Sequence, residues 1–416
     1  MSETVRVTKE QARAAAIAAQ GLSPANGATI GSTLESSGFL RTLGGIEVYL
    51  ALRARVPGIT RATVDAAVAS GEAAVSPAVR GCMYLVAKRD VPLCLSIAAA
   101  LSASRDAREH EKAGIRKGEV EKVGEGVLAA LKKGPLSTDG IKKALPPGLV
   151  RSLGDAGKKV GLSSPLPPAL RRLEFERKIE RVPETSGLDT ERYVWRLARA
   201  GAKGGGDGDA AARDTRLAEI FLRGAALGRL ADFAEWTGLG KKDAKAALER
   251  TGAISVAVGG EDGPFLALPS SRGLFESDER DVVAFLGFED NLLALHGGPA
   301  FLVDREHHDI EMPSWGRGST GGLAAARHMA LRTFVADGRI AGVWEFDPDS
   351  GEVAVAPFAK LPPKTRARVD ALAKETAKFI ASDVGHGRSF SLDTEDELRT
   401  RVAGIRGMAT GTKKKG

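Results

Sequence analysis

The chain has 416 residues, 43% of them hydrophobic, 27% charged and 5% aromatic, which is apolar content enough for a sizeable core and length enough for roughly two to four domains. Sixty Lys and Arg against fifty-three Asp and Glu leave a formal charge of +7, a modest excess whose meaning depends on where it sits. Fifty glycines and nineteen prolines are too few for a collagen-like or wholly disordered chain, and no charge-free run of ~18 apolar residues predicts a membrane helix.

The N-terminus, MSETVRVTKEQARAAAIAAQGL, places Glu10, Gln11 and Arg13 where a secretory signal needs apolar residues. Cys82 and Cys94 are too few for a disulfide framework and lack metal-ligand spacing. Both features point to a cytoplasmic protein with reduced thiols. Helices are expected at 9–20, 29–36, 46–55 and 60–69, a strand over 79–86 and a closing apolar helix over 90–101.

Within this part, Glu47 and Tyr49 follow a Gly44-Gly45 turn and flank one apolar residue. Where the glycines let the backbone approach a ligand, Glu47 can hold a water for attack at a sugar C1′. A phenol two residues on can donate a hydrogen bond or stack on a base. The same segment also suits plain architecture, with Ile46, Leu50 and Val56 in the core and an acid favouring the helix dipole.

The basic excess is concentrated from 116 to 182, where fifteen basic residues face eight acidic ones, an excess equal to that of the whole chain. Such a field attracts a polyanion by counterion release, although a solvated face of mixed helices has the same composition. A helix is expected over 118–131, then Ser137 or Thr138 capping a second that reaches Leu145. After Pro146-Pro147, a third helix over 149–160 would carry Arg151, Lys158 and Lys159, with the strand-like run 173–182 as a hairpin strand. The Gly-rich stretch 201–209 reads as a linker, since no strand precedes its glycines and no Lys-Ser/Thr follows.

The clearest unit lies between 212 and 269. Leu217, Ile220, Phe221 and Leu222 line a first helix, and Leu230, Phe233, Ala234 and Trp236 a second. In the third, Ala244, Ala247 and Leu248 face the core while Lys241, Lys242, Lys245 and Arg250 face out. Ile254, Val256 and Val258 alternate as a strand, and 265–268 returns after a Gly-rich turn. This order of helix, helix, basic helix and hairpin is that of a winged helix, whose third helix enters the DNA major groove.

Beyond Pro269, strands are expected at 331–335, 340–346 and 353–358, followed by a helix over 363–380 and a tail containing Lys413, Lys414 and Lys415. The expected class is therefore α+β, with tandem winged-helix domains at 1–115, 116–185 and 186–270 and a C-terminal antiparallel β-sheet domain at 271–416. The run Glu306-His307-His308-Asp309-Ile310-Glu311 lacks HExxH spacing, so no metal site is assigned and no cofactor is implied. Nucleophile-elbow and phosphoryl-transfer motifs are missing.

Four stretches carry a family resemblance: LALRARVPGITRATVDAAV (50–68), AVSPAVRGCMYLVAKRDVP (74–92), GRLADFAEWTGLGKKDAKAAL (228–248) and FVADGRIAGVWEFDPDSGEVAVAPFAKL (334–361). Together they resemble the AlkZ/YcaQ-like family of bacterial DNA glycosylases. The resemblance implies tandem winged helices curved around a DNA channel and a double-stranded DNA partner, alkylated or bearing a bulky adduct; because tandem non-identical units can form such a cradle without dimerisation, a monomer is expected. It also implies N-glycosidic hydrolysis directed by a Gln-apolar-Gln or Gln-apolar-Asp motif after a glycine. Here Gly45-Ile46-Glu47-Val48-Tyr49 stands at that place, so Glu47 would direct the water and Tyr49 would position or stack. A tyrosine cannot take a water proton at neutral pH while its pKa stays near ~10. Arg80 would contact phosphate, and Arg151, Lys158, Lys159, Lys241, Lys242 and Lys245, on the candidate recognition helices, would bind DNA. The alternative is a non-catalytic DNA-binding protein, a regulator or lesion sensor.

Overall fold

The reciprocal cap that opens the first helix shows how local sequence sets the elements. Thr8 accepts the Gln11 amide at 3.2 Å while Gln11 accepts the Thr8 amide at 2.9 Å, fixing the start of α1 (Lys9–Ala19) behind β1 (Val5–Val7). The computed structural model describes residues 4–23, 27–185, 187–198, 209–276, 281–312, 321–327 and 331–409. The linker glycines 201–208 and the lysines 413–415 lie outside the described residues.

The first part continues with α2 (Ile30–Ser36), β2 (Leu40–Arg41), α3 (Glu47–Arg53), α4 (Arg61–Ser70), β3 (Ala73–Pro77), β4 (Met83–Ala87) and α5 (Val91–Lys112). The strand expected over 79–86 begins only at Met83, as β4, which pairs antiparallel with β2 and with the preceding β3 in the order β2-β4-β3. A 3-10 turn over Val79–Gly81 joins β3 to β4, with Arg80 at φ 54. The closing helix runs on to Lys112 because 102–112, though polar, contains no breaker.

The basic part holds α6 (Glu119–Leu131), β5 (Leu136–Ser137), α7 (Thr138–Ala144), α8 (Gly154–Lys158), α9 (Leu166–Phe175), β6 (Ile179–Pro183) and β7 (Tyr193–Leu197). Ser137 is the α7 cap, accepting the Gly140 amide at 3.1 Å. The helix expected over 149–160 shrinks to α8, since Gly154 (φ 56) and Gly161 (φ 72) take left-handed conformations at its ends. The expected strand over 173–182 starts only at Ile179. Leu166, Ala169, Leu170 and Leu173 instead bury one helical face, a spacing of three and four that overrides the alternating charges. The sheet order is β5-β7-β6, so the hairpin crosses the boundary drawn at residue 185.

In the third part, α10 (Ala210–Ala225), α11 (Leu230–Thr237), α12 (Lys241–Arg250), β8 (Ile254–Val258) and β9 (Phe265–Ala267) follow the sequence pattern closely. β1 joins this hairpin in parallel, Val5 opposite Val256, in the order β1-β8-β9. The C-terminal part has β10 (Val283–Phe285), α13 (Asn291–Ala294), β11 (Arg332–Ala336), β12 (Arg339–Phe346), β13 (Val353–Pro357), α14 (Pro363–Lys378) and α15 (Glu395–Ala409). Its four strands are antiparallel in chain order, with α14 and α15 packed against them. The chain is thus a mixed α+β fold built on small, mostly antiparallel sheets.

Three apolar clusters tie distant parts together. One joins α1 and the β8–β9 hairpin to the C-terminal sheet, a second joins α3 and α4 to Trp344 and α14, and a third joins β4 and α5 to α10–α12. The basic part has its own cluster around Val123, Ile141, Leu170 and Trp195. No described helix is long and apolar enough to cross a membrane.

His296 is buried in the frame below α13, its Nδ1 2.8 Å from the Leu292 carbonyl, and burial lowers its pKa to about 4. The fold therefore excludes a proton that the unfolded chain accepts near pH 6.5, and stability falls as pH drops from about 6.5 to 4. The expected loss is about 3 kcal/mol. His296→Phe, which keeps the ring beside Phe301, should flatten that dependence in denaturant unfolding measured across this pH range.

Candidate active site and nucleic-acid interface

The Gly44-Gly45 turn brings the backbone against another chain segment. A Cβ at Gly45 would lie 2.4 to 2.5 Å from backbone atoms of Ser389, Arg388 and Phe390, and the Ile46 amide donates to the Arg388 carbonyl at 3.0 Å. The two glycines thus serve the approach of α3 to the 388–391 segment. Ile46, Leu50 and Val56 are core, as the architectural reading has it.

Glu47, in the first turn of α3, is 3% exposed. Its Oε1 accepts Arg332 Nη2 at 2.6 Å and Nε at 3.0 Å, and its Oε2 accepts the Phe288 amide. Burial pushes the Glu47 carboxyl up and the Arg332 guanidinium pulls against it. Arg332 also binds Glu345, and Glu345 binds Arg401 at 2.7 Å, which in turn holds Asp393 at 2.7 Å. Tyr49 points to the other side of the helix. Its hydroxyl donates to Asp65 at 2.7 Å and accepts the Leu188 amide at 2.7 Å, and burial pushes the phenol well above its ordinary value. Two positions along a helix turn by about 200°, so the fold sends these side chains apart.

A narrow cleft opens instead where the first, third and C-terminal parts meet. Arg41 from β2, Arg80 from the β3–β4 turn, Glu235 and Trp236 from α11, Glu289 and Asn291 at the start of α13, Arg327 and Thr333 line it. Arg41 pairs with Glu289 and Arg327 with Glu235, so each carboxylate meets a guanidinium from a different element. Glu47 lies directly behind this cleft, since the Phe288 amide it holds precedes Glu289 and a Cβ at Gly287 would sit 2.5 Å from its Oε2. Of these cleft residues, sequence reading singled out Arg80 as a site residue and Trp236 only as core. For Glu289 and Asn291 the signal was the turn-forming Gly287-Phe288-Glu289-Asp290 before a short apolar helix, whose cap Asp290 supplies by accepting the Leu292 amide at 2.9 Å.

The other basic candidates divide between two surfaces. Lys241, Lys242 and Lys245 are exposed on α12, and the α11–α12 turn packs against Arg80, whose Cγ is 3.3 Å from where a Gly238 Cβ would lie. Lys158 and Lys159 are exposed at the end of α8, while Arg151 precedes that helix and is held by Glu119 at 2.6 Å and the Gly114 carbonyl at 2.6 Å. None of these three lines the cleft. Among the described residues, no group of His, Cys, Asp and Glu is placed to hold a metal ion.

A family model described as DNA glycosylase AlkZ-like matches residues 45–379. The chain belongs to the AlkZ-like DNA glycosylase family. Its structure is similar to that of Streptomyces sahachiroi DNA glycosylase AlkZ, with a TM-score of 0.67 at 17% identity, covering 93% of this chain and 99% of that one. The two share a fold. No curated protein matches the sequence. Within the AlkZ-like span fall Glu47, Tyr49 and every basic candidate, and of the charged cleft residues Arg41 alone precedes it.

Proposed function

We propose that this AlkZ-like chain binds double-stranded DNA through winged-helix units and hydrolyses the N-glycosidic bond of an alkylated or bulky-adduct purine. The observation that carries the reading is the central cleft, where Arg41, Arg80 and Arg327 surround Glu235 and Glu289 in a fold shared with a glycosylase. Guanidiniums suit the phosphates of a bound strand, and a carboxylate suits the water that attacks C1′. An N7-alkylated purine leaves as a neutral base, so the protein need only supply water and position. Glu47 serves this site by holding the Phe288 amide behind Glu289, and Tyr49 by tying α3 to Asp65 and Leu188. Lys241, Lys242 and Lys245 on α12 take the recognition-helix role, with Arg151, Lys158 and Lys159 extending the contact. Tandem non-identical units offer a DNA surface without dimerisation, so the working form is a monomer, and the two thiols fit a reduced cytoplasm.

The second reading, a non-catalytic DNA-binding protein, is favoured by one observation: the residues at the family's motif position are both buried and engaged. One experiment separates the two. Purified protein is mixed with duplex DNA carrying N7-methylguanine, free base is measured against a protein-free control, and binding to unmodified duplex is followed across salt. Base release with steep salt dependence is expected. Replacing Lys241, Lys242 and Lys245 together by Ala should reduce the slope of log K against log salt by about 3. Binding without release would leave the non-catalytic reading, and the loss of both would remove both.

A further inference from the structure

We propose that Glu289 is the carboxylate that activates the hydrolytic water, an assignment that rests on the base-excision reading above. Two of the five described non-glycine residues with positive φ, Arg80 (φ 54) and Glu289 (φ 52), line this one cleft. A glutamate in the left-handed region is strained, and such strain persists only where the surroundings over-determine it. Here they do. The preceding amide, of Phe288, is held by buried Glu47, which Arg332 fixes in turn. The following residue, Asp290, makes a two-point ion pair with Arg55 at 2.7 and 2.9 Å, with both side chains fully buried. Next, Asn291 donates to the Ser37 and Phe39 carbonyls at 2.9 and 2.8 Å. Phe288, Asp290 and Asn291 are therefore anchored into the body of the protein, and the residue enclosed by these anchors presents a carboxylate to the cleft.

A second, independent feature points to a ligand at the same place. Thr333 lines the cleft, is 1% exposed, and its hydroxyl has no hydrogen-bond partner among the described residues. A buried hydroxyl left open costs stability unless water or a ligand completes it. Glu235 is the weaker candidate for the base, because its side chain is 35% exposed against 12% for Glu289 and its helix holds it in no strained conformation.

The step balances with water as the only co-reactant. The water oxygen forms a bond to C1′ as the C1′–N9 bond breaks, and that electron pair neutralises the N7-alkylated purine. The water proton passes to the Glu289 carboxylate, and Arg41 stabilises that carboxylate before the transfer. The products are the free neutral base and an abasic sugar with its C1′ hydroxyl.

The test is single-turnover release of N7-methylguanine from duplex DNA, with duplex affinity measured in parallel. Glu289→Gln keeps size and is expected to slow release at least about 100-fold while the Kd changes less than about threefold. Glu289→Asp keeps the charge opposite Arg41 but withdraws the carboxylate by one methylene, and should slow release about tenfold or more with unchanged affinity. A merely structural ion pair would leave the Asp variant at the wild-type rate, and that result overturns the assignment. So does a Gln variant within about threefold of wild type, with the excision reading intact. Absence of release by the wild-type protein overturns both. Should Glu289→Gln lose its cooperative melting transition, the Asp variant decides alone by the same criterion.

Discussion

Arg332→Ala is expected to cost about 3–5 kcal/mol of folding stability, read as a lower midpoint in denaturant unfolding with little change in slope. The guanidinium is 1% exposed and donates to Glu47, Glu345, the Gly387 carbonyl at 2.8 Å and Ser389 at 3.1 Å, with its carbon 5.2 Å from the Trp344 ring centroid. Removing it leaves two buried carboxylates facing each other with one remaining cation, Arg401, on the far side of Glu345. The penalty comes from uncompensated charge, not from lost attraction, so it can be relieved from the other partner. Arg332→Met combined with Glu47→Gln should therefore be more stable than Arg332→Met alone. The pH dependence has a definite sign. Burial already pushes the Glu47 carboxyl up, and without Arg332 nothing nearby of opposite charge pulls it down. A carboxyl raised in the folded state destabilises when ionised, so the deficit of Arg332→Ala shrinks as pH falls and grows as pH rises through that carboxyl's range. The opposite trend, or a cost under about 1 kcal/mol, would show that the network does not hold the 287–289 loop.

Gly45→Ala is the second substitution with a large expected effect, about 3 kcal/mol or more. The glycine is not needed for its backbone angle. It is needed because an added methyl would overlap three backbone atoms of 388–390, none of which can rotate away as a side chain end would. The Ile46 amide bonds to the Arg388 carbonyl across this contact, and the neighbouring Ser389 accepts from Arg332, so displacement propagates into the buried ion network. Gly58, with no atom within 4 Å of where a Cβ would lie, is the matched control, although its φ of 69 adds the usual cost of a left-handed residue. Thermal unfolding of the two Ala variants should differ accordingly. Equal midpoints would mean that the 388–391 segment moves freely away from the turn.

The local architecture was legible because its signals are short-range. Thr8 and Ser137 cap helices where a hydroxyl precedes an apolar-periodic run, and α10–β9 follows the spacing of Leu217, Phe221, Phe233, Leu248, Val256 and Phe265. Where two local signals conflicted, as over 166–176, the stripe of three- and four-residue spacing outweighed alternating charge because the apolar face had a cluster to fill. The motif position at Glu47 and Tyr49 was equally plain in the chain, but their environment was not. A buried carboxylate next to a glycine pair reads the same whether it faces water or an arginine 285 residues away.

The helices, the hairpins, the basic face of α12 and the kinship with AlkZ-like glycosylases are each written in neighbours a few positions apart, and the amino-acid order alone specifies them. Three-dimensional packing had to settle that β1 pairs in parallel with β8, that Glu47 is spent on Arg332, and that Arg41, Arg80, Glu235, Glu289, Arg327 and Thr333 share one cleft. The physical reason is that charge pairing and edge pairing carry no periodicity of their own. A guanidinium or a strand edge is satisfied by whichever partner the packed core brings within reach, and that partner is fixed only when the clusters joining the distant parts have formed.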